Sequence, residues 1–445
     1  MRVVLLNVVN KKKKGAANKD LAGGMGTFSH FGNSFLLKLL TLVKGQAIRL
    51  PIISFAFLQA ILKEKGNEVC YIEGDSVDRR YDLVLIYGSI VDFHYENEVA
   101  REIKDRYPET KLGFFGSFPT VRPDLFGEAD FIIRGEAESF FLYEFQSLEN
   151  LPKVVEVKNL LDLNDLPTPD FGNFPIKKYS YFPAIKEKPF LVLQASRGCP
   201  YTCSYYCPYG MIQGSKYRIR DPKKLIGDLT QMVSKYKIKG LQLRDPTFGI
   251  DKEQVREFCR LLIEKKIRIK FGIETRLDLL DKEILRLMFK AGLRNVNVGI
   301  ETTDEGIAGL NKRKLVSVQH QEEIIRYCEK LGIKVSAFYI FGLQGDTEDS
   351  IKKSIEYAIE LNTNIAQFTI SCPYPGTKYY NELKLKDLIV EDDFEKFDSS
   401  NVVFKHDNLD SRQLSRLREQ AFRKYYFRLG YLINFLKWRF REFWL

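Results

Sequence analysis

Residues 196–207 read SRGCPYTCSYYC and bring Cys199, Cys203 and Cys207, three of the chain's seven cysteines, within nine residues. They follow the apolar run FLVL at 190–193, which is typical of a buried strand. On one continuous helix the outer two cysteines would lie about 12 Å apart, at about 1.5 Å rise per residue, too far to hold one small centre. The stretch therefore predicts a wrapped loop after a strand, with three thiols directed at one centre.

The three thiols are candidate ligands of a metal centre. Thiolates bind soft iron, and three of them on a 4Fe–4S cube leave one iron open for a small molecule. Two other interpretations are a three-cysteine zinc knuckle and three unconnected buried thiols. A structural zinc site completes four protein ligands, and neither a Cys-x-x-Cys pair nor a nearby histidine supplies the fourth here. The pattern favours the iron–sulfur cluster.

The cysteine motif resembles the signature of the radical S-adenosylmethionine (radical SAM) enzymes, Arg-Gly-Cys-Pro-x-x-Cys-x-aromatic-Cys after the first strand of a partial barrel. The resemblance implies Cys199, Cys203 and Cys207 as cluster ligands, Tyr206 as the aromatic residue that binds cofactor, and S-adenosylmethionine on the open iron. This chain has three residues between its second and third cysteines where the family has two. An added loop residue costs little, and we expect it to bulge outward.

Length and composition are those of an ordinary globular protein. A chain of 445 residues predicts two or three domains, and 44% hydrophobic with 29% charged residues is typical of soluble proteins. The N-terminal apolar run is too short for a signal peptide, and no stretch approaches the length of a membrane span. Seven cysteines without a small-domain disulfide spacing suit a reducing compartment. We expect a cytoplasmic location.

Residues 1–148 alternate strand and helix patterns, which predicts a doubly wound, Rossmann-like parallel sheet of an α/β protein. The predicted strands are 3–9, 68–72, 83–87, 111–115 and 130–133. The segment resembles the cobalamin-binding domain that precedes many radical SAM cores, through small residues at strand ends that let backbone approach a flat corrin. The resemblance implies cobalamin (B12), bound without a histidine ligand. The residues implied as its contacts are Gly88, Ser89, Gly116 and Ser117.

Residues 149–188 hold five prolines and are predicted to form a connector. Residues 189–385 repeat six strand–helix units, which indicates a partial (β/α)6 barrel with its site at the carboxyl ends of the strands. The predicted strands are 190–195, 240–243, 268–274, 295–300, 334–340 and 366–371. Residues 386–445 are predicted to form a helical extension.

Charged side chains follow the third and fourth predicted barrel strands. The resemblance implies that Glu301 and Glu274 accept hydrogen bonds from the amine and ribose of S-adenosylmethionine, and that Arg276 pairs with its carboxylate through two parallel bonds. Structural ion pairs are the alternative for Glu274 and Arg276. Cys372, after the sixth strand, is a candidate catalytic residue that quenches a substrate radical, with a small core residue as the alternative.

The net charge of +11 is concentrated in the C-terminal tail. Residues 411–445 contain nine Lys or Arg, two Asp or Glu, and ten aromatic residues including both tryptophans. Because the basic excess is local, it gives little support for a nucleic-acid groove across the main body, and we expect no nucleic-acid partner. The tail has two interpretations, packing on the domain, which is favoured, or a peripheral helix in a membrane interface.

The resemblance implies a radical SAM enzyme that takes electrons from an external flavodoxin- or ferredoxin-type donor and acts on a small-molecule or lipid-like substrate. Cobalamin-dependent methyl transfer to an unactivated carbon is the leading interpretation. Two alternatives stay open. One is radical rearrangement, cyclisation or oxidation without methyl transfer. The other is a catalytically degenerate cluster-binding protein, in which the added residue has abolished activity.

Overall fold

The structure is a computed structural model that describes residues 1–11, 13, 16–32 and 34–444. Its helices of eight or more residues are α1 (Phe35–Ala47), α2 (Ile53–Glu64), α3 (Phe93–Arg106), α4 (Pro222–Tyr236), α5 (Lys252–Glu264), α6 (Lys282–Ala291), α7 (Val318–Leu331), α8 (Glu348–Leu361), α9 (Lys378–Leu385), α10 (Ser411–Tyr426) and α11 (Leu429–Trp444). None of these described helices is long and apolar enough to cross a membrane.

The first third of the chain forms a parallel six-stranded sheet. Its strands are β1 (Arg2–Val8), β2 (Glu68–Gly74), β3 (Leu83–Tyr87), β4 (Lys111–Phe115), β5 (Phe131–Arg134) and β6 (Val154–Glu156). They lie in the order β2-β1-β3-β4-β5-β6, so the strand order reverses beside β1. Ligands of doubly wound sheets bind at such a reversal, outside the carboxyl ends of the strands. Strand β6 comes from the segment that the sequence assigns to the connector.

Strand β1 shows why this sheet is covered on both faces. Val3 and Leu5 belong to the core cluster that contains α2, whereas Val4 and Leu6 belong to the cluster that contains α3. Successive side chains of a strand point to opposite faces. All four side chains are fully buried, which explains the continuous apolar run in the sequence.

The second sheet is a partial barrel of six parallel strands in chain order. The strands are β7 (Phe190–Leu193), β8 (Gly240–Leu243), β9 (Lys270–Thr275), β10 (Leu293–Glu301), β11 (Lys334–Phe341) and β12 (Ile365–Ile370). Five of the helices that cover it begin at a side chain that accepts a hydrogen bond from the first turn. These caps are Asp221, Asp251, Asp281, Ser317 and Thr347. The predicted fold class is confirmed.

Buried ion pairs join the first sheet to the cysteine loop of the barrel. Arg197 lies 2.9 Å from Glu136 and 2.8 Å from Glu138, and Arg218 lies 2.7 Å from Glu136. Both carboxylates follow β5, and both arginines belong to a short hairpin that flanks the cysteines. The carboxylates of the first sheet thus hold the loop that carries the thiols in position.

The tail packs on the barrel through part of its surface. Leu414, Leu417 and Phe422 of α10 are fully buried, and Tyr425 and Tyr426 bond to the backbone at either end of the loop before β12. The packing predicted for the tail is therefore present for α10. The side chains of Phe440, Phe443 and Trp444, which the sequence analysis also counted among the tail aromatics, lie outside the described residues.

Candidate active site

The cysteine loop starts where β7 ends and is closed by a hairpin between Ser196–Arg197 and Arg218–Ile219. Gly198 has a φ of 85° inside this turn. A Cβ atom at this position would lie 2.0 Å from the carbonyl oxygen of Lys216. Both the backbone angle and the close approach therefore require glycine immediately before the first cysteine.

All three cysteines line one end of a cavity of about 360 Å³ between the barrel and the first sheet. The backbone N–H of Cys207 donates to the carbonyl of Cys203 at 2.9 Å, so these two residues lie one helical turn apart on the same side. The Cys199 sulfur lies 3.7 Å from the Thr247 hydroxyl. Burial and the neighbouring thiols raise the pKa of Cys203 and of Cys207. The loop thus brings the three predicted ligands together.

The grouping of the thiols suits a cluster better than a single ion. Within the described parts of the chain, no three Cys, His, Asp or Glu side chains converge closely enough to hold one metal ion. A zinc knuckle needs such a point of convergence. Three thiols along one cavity are the donor set that a 4Fe–4S cube takes, so these residues fit the cluster.

The added residue of the loop turns inward, so the expected outward bulge is wrong. Tyr205 is buried, its hydroxyl donates to Glu382 at 2.7 Å, and its ring lies 5.6 Å from that of Tyr379. The reason is physical, because an outward bulge would expose a ring that has both apolar contacts and a hydrogen-bond partner inside. The extra residue completes the helical turn that joins the second and third cysteines.

We expect deletion of Tyr205 to prevent cluster assembly, although it restores the spacing of the family motif. Losing one residue rotates Cys207 by about 100° around the helical turn and removes its bond to Cys203. Iron per chain after anaerobic reconstitution measures the effect. Tyr205→Phe, which loses only the hydroxyl bond to Glu382, should keep its iron. Full iron in the deletion variant would mean that the loop tolerates either spacing.

Glu301 lies at the carboxyl end of β10 with its side chain at the cavity. Its φ is 68°, and the pairing of β10 with β11 shifts register between Gly299 and Glu301. A left-handed residue other than glycine at a bulge is strained, and such strain concentrates at functional sites. Burial raises the pKa of Glu301, and the guanidinium groups of Arg313 and Arg276 oppose that rise.

Arg313 is a cavity residue that the sequence analysis missed. Its side chain is buried, and its guanidinium lies 3.5 Å from Glu301 and donates to the Gly299 carbonyl at 2.5 Å. This places a permanent positive charge beside the three thiols. A signal was present, since Arg313 lies in the basic run 312–314 shortly after the strand that ends in Glu301.

Glu274 and Arg276 also line the cavity, but each already has a charged partner. Glu274 pairs with Arg244, whose Nε lies 2.7 Å from Asp20. Arg276 directs its Nε and one Nη at Asp278, both at 2.9 Å. The bidentate edge of Arg276, which the sequence analysis assigned to the carboxylate of S-adenosylmethionine, is therefore occupied.

Two of the predicted residues do not line this cavity. Tyr206 and Cys372 are both buried in the core cluster that also contains Tyr205. Burial raises the pKa of the Cys372 thiol well above its usual value, and the nearby Asp398 adds to the rise. A thiol that stays protonated and enclosed fits the small core residue that was the alternative for Cys372.

Only two of the four residues predicted to contact a corrin line the same pocket. Gly116 and Ser117 line a pocket of about 80 Å³ between the sheet and the barrel. Ser89, in contrast, is fully buried and donates to Glu96 at 2.7 Å. Likewise, a Cβ atom at Gly88 would lie 2.4 Å from Pro119, so Gly88 faces its own domain.

The loop after β1 fills most of the space above this pocket. Its short helix Ala22–Gly24 lies over the ends of β3 and β4. Ser117 donates to the Gly23 carbonyl at 2.6 Å, and Tyr87 donates to the Gly24 carbonyl at 2.7 Å. With the loop in this position, the pocket of about 80 Å³ beside Gly116 and Ser117 is much smaller than a corrinoid.

The sequence of the barrel identifies the chain. Residues 193–358 match the sequence profile of the Radical SAM superfamily. The chain therefore contains a radical SAM domain. It is therefore a radical SAM enzyme, and the superfamily uses a 4Fe–4S cluster and S-adenosylmethionine, acts on small molecules and needs a reductant.

Several known proteins resemble this radical SAM protein over most of its length. It is 25% identical to an uncharacterised methyltransferase of Pyrococcus horikoshii, over 86% of this chain and 89% of the relative. It is 27% identical to the anaerobic magnesium-protoporphyrin IX monomethyl ester cyclase of Rubrivivax gelatinosus, over 75% of this chain but only 63% of the cyclase.

The solved structure of the radical SAM methyltransferase TsrM from Kitasatospora setae, with cobalamin and a 4Fe–4S cluster bound, has the same fold. It superposes with a TM-score of 0.63 at 15% identity, over 86% of this chain and 78% of TsrM. The radical SAM barrel and the sheet that precedes it therefore occur together in both proteins.

Proposed function

We propose that this radical SAM enzyme transfers a methyl group to an unactivated carbon of a largely apolar small molecule. The observation that carries the proposal is one cavity with two different ends. Three thiols and the Glu301–Arg313 pair lie at one end. The rest of the lining is largely apolar, with Ile48, Phe182 and Ile365 beside a few polar side chains such as Ser336 and Gln367. Charged cofactor groups suit the first end, and an apolar substrate suits the second.

The polar end has the donors and acceptors that the two cofactors need. Cys199, Cys203 and Cys207 would hold the cluster. Arg313, rather than Arg276, would pair with the carboxylate of S-adenosylmethionine, and Glu301 would accept from its amine or ribose. When bound, these cofactors supply a radical that abstracts hydrogen from the substrate. The largely apolar lining of the cavity would limit the access of water to that radical.

The proposal assigns a separate role to each part of the chain. Residues 1–156, which include β6, would form the B12-binding-like domain, 157–188 the connector, 189–385 the barrel and 386–445 the extension. Electrons come from a flavodoxin- or ferredoxin-type donor, the enzyme works in the cytoplasm, and a corrinoid is the methyl carrier. Because the pocket beside Gly116 is small, a corrinoid requires that Ala22–Gly24 move away from Ser117 and Tyr87.

Radical rearrangement, cyclisation or oxidation without methyl transfer is the second candidate. It is favoured by the same small pocket, since that chemistry needs no methyl carrier above the barrel. The similarity to a cyclase as well as to a methyltransferase agrees with either reaction.

One experiment separates the candidates. Protein reconstituted anaerobically with iron and sulfide is given S-adenosylmethionine and a reductant, with and without cobalamin, and 5′-deoxyadenosine and bound corrinoid are measured. Methyl transfer predicts both cleavage and bound corrinoid. Cleavage without corrinoid binding supports the second candidate, and a cluster without cleavage indicates a degenerate enzyme.

We expect Glu301→Gln to raise the KM for S-adenosylmethionine by about 10- to 100-fold, because a hydrogen bond to a charged group contributes about 1.5–3 kcal/mol. The substitution keeps the size of the side chain and removes its charge. Formation of 5′-deoxyadenosine against cofactor concentration measures it, with iron content as the check on assembly. Glu305→Gln, an exposed position four residues along, is the control. An unchanged KM would exclude Glu301 from cofactor binding.

A further inference from the structure

Helix α1 exposes an apolar face. Phe35 is 81% exposed, and Leu36, Leu39 and Leu42 are each about half exposed or more. The three leucines follow Phe35 by one, four and seven residues, which places all four side chains on one side of the helix. The opposite side, at Leu37, is fully buried. A helix that packs on a domain normally has polar residues on the side that faces water, whereas the side of α1 that faces water is apolar.

Helix α11 has the same pattern. Its exposed apolar residues, which recur every three to four positions, are Leu429, Leu432, Ile433 and Leu436. The other side of α11 packs on the barrel, where the Tyr431 hydroxyl donates to the Asn364 carbonyl at 3.1 Å and the Lys334 ammonium lies 4.4 Å from the Trp438 ring centre. The tail thus packs through one face and presents leucines through the other.

The two helices begin on the same side of the barrel. Phe31, just before α1, lies 4.6 Å from Phe422 of α10, measured between ring centroids. Tyr431 of α11 lies 4.9 Å from Tyr426 of the same helix α10. The N-terminal ends of α1 and α11 are therefore both held by α10.

They also end at the same segment. The carbonyl of Ala47, the last residue of α1, accepts from the Phe182 N–H at 3.1 Å. Lys334, which lies over Trp438 of α11, donates to the Pro183 carbonyl at 2.6 Å. Both helices thus run from α10 to 182–183, and we infer that their exposed apolar faces lie on the same side of the molecule; together we call them the two-helix surface.

The cavity reaches this side of the molecule. Its apolar end is lined by Ile48, which follows α1, by Phe182, where α1 ends, and by Ile365 of β12. Strands β7 and β12 are the two edges of the partial barrel, so β12 borders the side that the sheet leaves open. An apolar molecule on the two-helix surface is therefore next to the apolar end of the cavity.

The charge around the surface selects its partner. Lys38 of α1 and Lys437 of α11 are exposed beside the apolar residues, and Arg423 and Lys424 are exposed at the end of α10 that leads into α11. A second copy of the chain would bring like charges together, whereas anionic lipid headgroups are complementary to them. We propose that the two-helix surface docks on an anionic lipid bilayer and that the substrate is a membrane lipid that passes from it into the cavity. The lipid substrate rests on the proposed function, but the docking does not.

The test uses the reconstituted full-length holoenzyme and vesicles of phosphatidylcholine with or without phosphatidylserine. We expect sedimentation with the anionic vesicles, weaker binding at high salt, and at least tenfold weaker binding for Leu36→Glu/Leu39→Glu and for Leu432→Glu/Ile433→Glu. Leu385→Glu, which changes an 88% exposed leucine of α9, is the matched control and should bind normally. Iron content and melting temperature establish that each variant is folded.

Three results would overturn the docking. The first is that the wild-type holoenzyme does not bind the anionic vesicles. The second is that both double variants bind as tightly as the wild type. The third is that the protein is a dimer without lipid and that the same variants dissociate the dimer. Failure of the proposed function is read separately, from 5′-deoxyadenosine formed in solution without vesicles. If the holoenzyme binds the vesicles but does not cleave S-adenosylmethionine, the docking proposal stands and the proposal of a lipid substrate is wrong.

Discussion

Cys199→Ala, Cys203→Ala and Cys207→Ala proteins are each expected to be colourless after anaerobic reconstitution, with less than a tenth of the iron of the wild type. Two thiolates hold a four-iron cube poorly, and the cavity offers no fourth cysteine, since Cys372 does not line it. Iron, sulfide and the visible absorption of the cluster measure the result.

Cys70→Ala is the matched control for these variants. Cys70 lies on the first sheet, where its sulfur contacts the Tyr81 hydroxyl at 3.3 Å, far along the chain from the cysteine loop. It should leave the iron content unchanged. Wild-type iron in any one of the three loop variants would remove that cysteine from the ligand set.

Gly198→Ala is expected to have an effect nearly as large, although it changes no ligand. The new methyl carbon would lie 2.0 Å from the Lys216 carbonyl oxygen, so the hairpin that closes the cysteine loop must open. We expect at most a tenth of the wild-type iron and a lower melting temperature. Iron content and calorimetry measure the two effects.

Gly214→Ala separates the clash from the backbone strain. Gly214 lies in the same loop with a φ of 79°, but a Cβ atom there meets nothing within 4 Å. It should therefore lose only about 1–2 kcal/mol from the left-handed conformation and keep its cluster. Equal loss of iron in both variants would mean that backbone strain, not the contact with Lys216, is decisive.

The sequence predicts most of the fold because strands and helices follow from local patterns. Every predicted strand is present, and the ends of Leu83–Tyr87, Lys111–Phe115 and Gly240–Leu243 agree to the residue. Each of these strands is a short apolar run bounded by polar or turn residues, which is a local signal. The cysteine loop was predictable for the same reason, since its motif lies within twelve residues.

The rest of the site depends on contacts between distant parts of the chain. The inward turn of Tyr205 depends on Glu382, and the charge partner of Glu274 depends in turn on Asp20, more than 200 residues away. No periodicity carries such pairings. Arg313 reaches the cavity because a loop folds back over Gly299, which its position in a basic run does not reveal.

The interlock between Arg197, Arg218 and the carboxylates after β5 limits how this protein can be divided. A barrel produced without its first 188 residues would keep two arginines whose side chains are at most 8% exposed, with Glu136 and Glu138 gone. Without these carboxylates the hairpin that closes the cysteine loop loses its ion pairs, so the position of the three thiols is no longer fixed. The barrel is therefore not a portable module. A chimera that gives the barrel another N-terminal domain must bring two carboxylates to the same places.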